Sequence, residues 1–286
     1  MWRRPDGCLD QAEDEMINEA LAYSLSAPSK QGELRFAGSG SKAINFLTED
    51  NKVLTLHRSD AGMSPSGWSV SAQVFNQLST LVPATGNIRL VSHGMIVNDL
   101  HLRKGGNGVW LKALGGSSIS LVALTDFLSK QEKETGLYGS LLEIIKDEDK
   151  TSFYPILAQL YQWFDGKTPC WKGIVGAGPG LTPSHDDMLV GMLACAYSQH
   201  DLKEKAHKLL PLSLDLDYWT TSVSAGYLEQ ARNGYFSVAL LDLINASPNN
   251  FSYYASRLLE HGHYSGADTL LGIWLFLNLQ KVINTI

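Results

Sequence analysis

The spacing of apolar residues divides the chain into two halves. From about residue 31 to residue 122, apolar and polar side chains alternate in short runs that turns rich in Gly, Ser and Asn separate. Alternation with a period of two is typical of β-strands. We predict strands at residues 33–37, 43–47, 52–57, 68–75, 87–91, 95–98, 108–114 and 119–122. Because no helical pattern intervenes, these strands predict an antiparallel sandwich or a partly closed barrel.

After Thr125 the apolar residues recur every three or four positions, which indicates helices. The predicted helices cover residues 125–131, 137–145, 152–164, 184–199, 201–210, 217–233, 236–245, 249–261 and 265–283. A further amphipathic helix is expected over residues 9–25. The predicted fold is therefore α+β, with a β-rich N-terminal domain over residues 1–150, including this leading helix, and an all-helical C-terminal domain over residues 151–286.

The most unusual stretch is a loop that runs directly into an apolar helix. Three glycines and two prolines lie between Gly176 and Pro183, and the helix follows at Ser184. A glycine-rich loop before a helix N-terminus is typical of anion sites, because backbone N–H groups there lack partners. We therefore predict that one set of residues binds an anionic group: Gly178, Gly180, Leu181, Thr182 and Ser184.

The start of this helix is repeated near the C-terminus. The pattern S-x-x-D-x-L-x-G begins at Ser184 and again at Ser265. We interpret each copy as a capping box, in which the serine and the acid (Asp187 or Asp268) satisfy the N–H groups of their own helix. The final glycine of each copy would let the two helices approach closely, so that both starts meet at one point. The alternative is that each pair only caps its own helix.

Several further side chains are candidates for chemistry in the helical half. Asp186 has no counterpart in the second copy and is the first candidate for a catalytic acid. Asp187 and Asp268 would orient the loop or accept substrate N–H groups, and His263 is an acid–base candidate. The remaining candidates are hydroxyls expected to face a ligand: Thr220, Ser224 and Ser265.

A weaker echo of the loop lies in the β-rich half. The sequence from Gly62 to Ser66 repeats the Gly-apolar-Ser/Thr-Pro-Ser order of residues 180–184. It is either a rigid turn or a second source of hydroxyls and backbone amides for the same site.

Composition excludes several classes of function. A net charge of −6 argues against a nucleic-acid-binding protein. Three scattered cysteines indicate reduced thiols in the cytoplasm, and the longest apolar run, residues 270–277, is far short of the roughly 20 residues of a membrane span. We expect no signal peptide, because acids stand where its apolar core would lie, and no nucleotide-binding motif is recognised. No metal or other cofactor is expected, although Mg²⁺ at the three acids is an open alternative.

Three motifs together carry a family resemblance. They are Gly178-Pro-Gly-Leu-Thr-Pro-Ser-x-Asp-Asp187, Thr220-Thr-x-Val-Ser224 and His261-Gly-His-x-Ser-Gly-Ala-Asp268. The chain resembles a bacterial family that includes the AllH-type subunit of oxamate carbamoyltransferase, and is most similar to its YahE-like branch. That family usually has glycine after the serine of the first motif. His185 stands there in this chain, where it would crowd a ligand or supply a new donor.

The resemblance implies a cytoplasmic subunit of a three-part complex of allantoin catabolism, a route of purine degradation. Its partners would be an FdrA-like, acyl-CoA-synthetase-type protein and a second large subunit. The implied reaction joins oxalurate and phosphate to give oxamate and carbamoyl phosphate, and the chain would be active only with its partners.

Three hypotheses about function follow. The leading one is a carbamoyltransferase-like subunit that acts on a small ureide- or oxamate-type carboxylate between the loop and the two helix starts. The second is a non-catalytic scaffold or regulatory subunit that binds an FdrA-like partner. The third is a free-standing protein that binds a small anionic metabolite.

Overall fold

The computed structural model describes residues 18–84 and 86–285 of the chain. Ten strands form one curled sheet, a half-barrel, in the order β1-β9-β8-β7-β3-β4-β5-β6-β2-β10. The strands are β1 (Asn18–Glu19), β2 (Ala22–Ser24), β3 (Gly32–Ser39), β4 (Ala43–Thr48), β5 (Val53–Arg58), β6 (Gly67–Val70), β7 (Ile88–Val91), β8 (Gly94–Val97), β9 (Leu100–Arg103) and β10 (Gly108–Val109). A partly closed barrel is thus confirmed as the form of the N-terminal half.

Most neighbouring strands are antiparallel, but the sheet is mixed. The pairs β5–β6, β1–β9 and β2–β10 are parallel. A helix missed by the sequence prediction, α1 (Ala72–Leu81), follows β6. It packs Val74, Phe75 and Leu78 into the apolar core of the half-barrel.

Ten further helices follow β10, which confirms the α+β class. They are α2 (Leu121–Leu128), α3 (Leu141–Lys146), α4 (Tyr154–Phe164), α5 (Ser184–Ser198), α6 (His200–Lys203), α7 (Leu216–Trp219), α8 (Ser222–Arg232), α9 (Val238–Ile244), α10 (Phe251–Leu259) and α11 (Ser265–Ile283). Helices α5 and α11 lie at the centre and bury nearly every residue of their first three turns. Helix α8 covers β5, where Gly226 leaves room for the side chain of Val53.

The strand predicted at 108–114 ends at Val109, and the helix predicted at 201–210 ends at Lys203. Four further sequence predictions are wrong in detail. Residues 18–24 form β1 and β2 where the leading helix was expected, and residues 9–17 of that helix lie outside the described part. The strand predicted at 68–75 stops at Val70, because Ser71 caps α1 by accepting from the N–H of Val74. The strand predicted at 119–122 instead leads into α2, which Ser120 caps.

The fourth correction concerns the long helix predicted over residues 217–233. Thr220 is extended (φ −142°, ψ −178°), so the helix breaks there into α7 and α8. The hydroxyl of Thr221 caps α8 by accepting from the N–H of Ser224 at 3.1 Å. This break brings Thr220 into the candidate site. Among the described residues, no helix is long and apolar enough to cross a membrane.

Candidate functional site

Helices α5 and α11 meet through the two glycines of the repeated motif. A Cβ at Gly191 would lie 2.3 Å from the carbonyl oxygen of Thr269, and one at Gly272 would lie 2.0 Å from that of Met188. These contacts interchange when the two copies of the motif are superposed, so a local two-fold symmetry relates the helices. Further along the pair, Ser184 lies beside Asp268, Met188 against Gly272 and Gln199 is hydrogen-bonded to Gln280, so the contacts advance in the same direction along both helices. The helices therefore run parallel and begin at the same end, which confirms that the two starts meet.

The capping boxes predicted at the two helix starts are wrong. The residues that precede the helices are Pro183 and Tyr264, and neither side chain caps. The acids instead cross to the opposite helix. Asp187 lies against the hydroxyls of Ser265 and Thr182, which are 2.8 Å apart. The pair is thus held by tertiary contacts, not by local caps.

Asp268 makes the reciprocal contacts on the other side. Its carboxylate lies beside the hydroxyl of Ser184 and accepts from the backbone N–H of Gly136 at 3.2 Å and 3.3 Å. Gly136 is required there, because a Cβ would lie 2.1 Å from Ser184 Oγ. Nothing in the sequence pattern marked Gly136 as part of the site.

Burial dominates the electrostatics of the crossed acids. It raises the pKa of Asp268 to about 6, although Ser184 and the Gly136 N–H stabilise its carboxylate. It also raises the pKa of Asp187 well above its ordinary value, and the neighbouring charges of Asp268 and Asp186 add to that effect. Within residues 18–84 and 86–285, Asp187 Oδ2 and Ser184 Oγ are buried without a well-formed hydrogen bond. Such atoms are rare in folded proteins and common in sites.

Asp186 is saturated by donors from the protein. Its Oδ1 accepts from the N–H of Gly176 at 2.8 Å, and its Oδ2 accepts from Ser224 Oγ at 2.6 Å and from Thr220 Oγ1. Burial raises its pKa, and these three donors oppose that shift. Asp186 thereby ties the glycine-rich loop to the break between α7 and α8. A catalytic role for it stays a prediction, but its contacts are those of a positioning residue.

The amides at the start of α5 already have acceptors within the protein. The N–H of His185 donates to Ala177 at 3.0 Å, and those of Asp186 and Asp187 donate to Pro183 at 3.0 Å and 3.2 Å. In the loop itself, a Cβ at Gly178 would lie 2.3 Å from the backbone nitrogen of Ser184. Anion binding by Gly178, Gly180 and Ser184 stays a prediction.

His185 connects two other segments and does not line the cavity described below. Its Nδ1 lies 2.9 Å from the carbonyl oxygen of Ile174, which can only accept, so Nδ1 carries the proton. Its Nε2 then accepts from the hydroxyl of Tyr138 at 2.6 Å. Burial lowers the pKa of His185 and raises that of Tyr138 to about 12. His185 therefore neither crowds nor contacts a ligand in the cavity.

A cavity of about 630 Å³ lies between the helical half and the half-barrel. Both Gly-apolar-Ser/Thr-Pro-Ser turns line it, which places the echo in the β-rich half at the site. From the helical half it receives Leu181, Thr182, Asp187, Ser265, His261 and His263. From the half-barrel and α8 it receives Asn45, His57, Met63, Ser64, Pro65 and Tyr227. Seven of the predicted site residues do not line it: Gly178, Gly180, Ser184, Asp186, Thr220, Ser224 and Asp268.

Charged side chains of both signs lie at the rim of the cavity. Lys42 and Arg257 line it. Burial lowers the pKa of His261, and the charges of Lys42 and Arg257 lower it further. The acid Asp60, also at the rim, is neutralised by Arg58 at 2.6 Å and 2.7 Å. A second acid, Glu260, also lines the cavity near Arg257. The rim therefore carries two cations and two acids, and the wall holds the buried Asp187.

The three acids that the sequence offered for Mg²⁺ have different surroundings. Asp186 is occupied by three donors, and Asp268 accepts from Gly136. Nowhere in the described part of the chain do three His, Cys, Asp or Glu side chains gather as metal ligands do.

The segment that carries the paired helices matches a known family. Residues 174–277 match the family described as oxamate carbamoyltransferase subunit AllH. The match begins just before the glycine-rich loop and ends within α11, so it includes both copies of the repeated motif. The predicted resemblance to the AllH-type family is confirmed over these residues, whereas the YahE-like branch stays a prediction. No solved structure matches the chain.

Proposed function

We propose that the chain is a subunit of an oxamate carbamoyltransferase-type complex and that its cavity binds a small ureide- or oxamate-type carboxylate. The observation that carries the proposal is that one cavity holds two cations at its rim, Lys42 and Arg257, and a buried acid in its wall, Asp187. A ligand with a carboxylate at one end and N–H groups at the other requires both. The wall that supplies Asp187, Thr182 and Ser265 lies within the segment similar to AllH.

Each wall has a role in this proposal. Lys42 and Arg257 hold the carboxylate, and Asp187 Oδ2, which lacks a partner among the described residues, accepts a substrate N–H. In the transfer, a phosphate oxygen attacks the carbamoyl carbon of oxalurate and the bond to the oxamate nitrogen breaks. That nitrogen must gain a proton. The attacking hydrogen phosphate supplies that proton, and Asp187 accepts an N–H group of the oxamate that leaves.

The binding of oxamate to the wild-type chain tests this proposal by isothermal titration calorimetry. Lys42→Gln removes a charge at the rim and is expected to weaken binding about tenfold, the usual effect of losing a charged hydrogen bond. Lys30→Gln is the matched control, since Lys30 is exposed and lines a separate cavity. It should leave the affinity unchanged. Equal affinities of wild type and Lys42→Gln would place the carboxylate elsewhere, and no binding to wild type would remove the proposed function.

Exposed apolar side chains favour the scaffold as a second function. Trp110 and Leu114 are 65% and 87% exposed on one short segment, which is typical of a surface that contacts a partner. Leu114→Ser is expected to reduce co-purification with an FdrA-like partner several-fold, whereas Val122→Ser, at a similarly exposed position, is not.

A variant of the buried acid separates the two functions. If Asp187→Asn abolishes transfer while the complex stays intact, a scaffold function alone does not account for the chain. If Asp187→Asn disperses the complex, the scaffold function is favoured.

A further inference from the structure

Ser64 is hydrogen-bonded to His57 on the half-barrel side of the cavity. His57 Nε2 lies 3.1 Å from the backbone nitrogen of Ser64 and 2.9 Å from its Oγ. Both residues are at most 9% exposed and both line the cavity. They belong to β5 and to the turn that follows it, outside the segment similar to AllH.

The direction of these hydrogen bonds is fixed by the backbone. The N–H of Ser64 can only donate, so His57 Nε2 is an acceptor and carries no proton. The hydroxyl of Ser64 must then donate to the same nitrogen. Burial lowers the pKa of His57 to about 3, so the ring stays neutral at physiological pH and this arrangement persists. The proton of Ser64 is therefore committed, and its oxygen presents lone pairs.

The neighbouring hydroxyls do not occupy that oxygen fully. Thr55 donates its only hydroxyl proton to Asn45 Oδ1 at 2.8 Å. Tyr227, 3.3 Å from Thr55 and also beside Ser64, shares its single proton between those two oxygens. At least one lone pair of Ser64 thus remains for a ligand. Burial raises the pKa of Tyr227 and the charge of Asp187 adds to that effect, so the acid lies near this group.

We propose that Ser64 is a specificity residue that accepts one N–H of the substrate's amide group, while Asp187 on the opposite wall accepts the other. This inference rests on the proposed function and adds the half-barrel to the site. His57 is the positioning residue, because it takes the hydroxyl proton of Ser64. A primary amide carries two N–H groups and fits between two acceptors, whereas a carboxylate in the same place would meet lone pairs from both walls.

Comparison of oxamate with oxalate tests the proposal, because oxalate replaces the amide with a carboxylate of nearly the same shape. The ratio of the two affinities is measured by titration calorimetry. Ser64→Ala is expected to weaken oxamate about fivefold, the usual effect of one lost neutral hydrogen bond, and to leave oxalate unchanged or tighter. Ser66→Ala is the matched control. Ser66 lies in the same turn and is buried, but lines the separate cavity.

Conservative variants of His57 supply a second readout. Gln offers an oxygen that can accept from Ser64, whereas Leu offers none. His57→Gln should therefore keep the wild-type ratio and His57→Leu should lose it, even where both variants are less stable. If Ser64→Ala keeps the wild-type ratio of oxamate to oxalate affinity, because both ligands are weakened equally or not at all, the role of Ser64 is overturned and the proposed function stands. Failure of wild type to bind either acid would overturn both.

Discussion

Replacing Gly272 with alanine is expected to lower the free energy of unfolding by about 3 kcal/mol. An alanine in place of a glycine inside a helix normally stabilises by about 1 kcal/mol. Here the added Cβ would lie 2.0 Å from the carbonyl oxygen of Met188, within backbone that cannot rotate away. Helices α5 and α11 would have to separate, and the contacts of Asp187 and Asp268 with the opposite helix would be weakened. Denaturation with urea measures the change.

Two other glycines are matched controls for this substitution. Gly191→Ala should cost a similar amount, because the symmetry-related contact with Thr269 is 2.3 Å. Gly226→Ala should cost much less. Its Cβ would lie 2.8 Å from Val53 Cγ2, a side-chain atom that can move. If Gly272→Ala is as stable as Gly226→Ala, the close packing of the two motif helices is incorrect.

The second large effect concerns pH and Asp268. Its pKa rises from 3.8 in the unfolded chain to about 6 in the fold, so the folded chain binds this proton more tightly. The stability that the folded chain gains from this tighter proton binding is fully present below pH about 4 and is lost as the pH rises to about 6. Above that pH the buried carboxylate costs about 3 kcal/mol. Asp268→Asn is therefore expected to be more stable than wild type by about that amount at pH 8.

The difference between Asp268→Asn and wild type should vanish towards pH 4, where the aspartic acid is itself neutral. Urea denaturation between pH 4 and pH 8 gives this difference directly. Asp126→Asn is the control, since Asp126 is exposed and only pairs with Lys130 on the surface of α2. It should follow the wild-type curve. A constant difference between Asp268→Asn and wild type at all pH values would contradict the shift of the Asp268 pKa.

The sequence pointed to the two helix starts but not to the contacts between them. The glycine-rich loop and the repeated S-x-x-D-x-L-x-G motif pointed to the two helix starts, because a repeated local pattern is visible in any sequence. The capping interpretation failed because it considered each helix alone. Once Gly191 and Gly272 let the helices touch, Ser265 lies against Asp187 and Ser184 lies against Asp268. Local rules cannot anticipate that exchange.

The same limit explains the residues that sequence reasoning missed. His57 sits in a strand whose pattern shows only that it is β. Its role depends on the turn from Gly62 to Ser66 folding back onto it, and on that turn facing Thr182 across the cavity. The echo between the two turns was the one available signal for Ser64.

What the sequence determined by itself was the division into a β-rich and a helical half, most element positions, and the identity of the motif that organises the helical core. Periodicity and turn residues act over a few neighbouring positions, so they can be recognised from the sequence alone. Only the tertiary structure decided that the acids cross between α5 and α11, that Asp186 is occupied by Thr220 and Ser224, and that the half-barrel completes the cavity. These contacts join residues far apart in the chain, and their geometry follows from how the two halves pack.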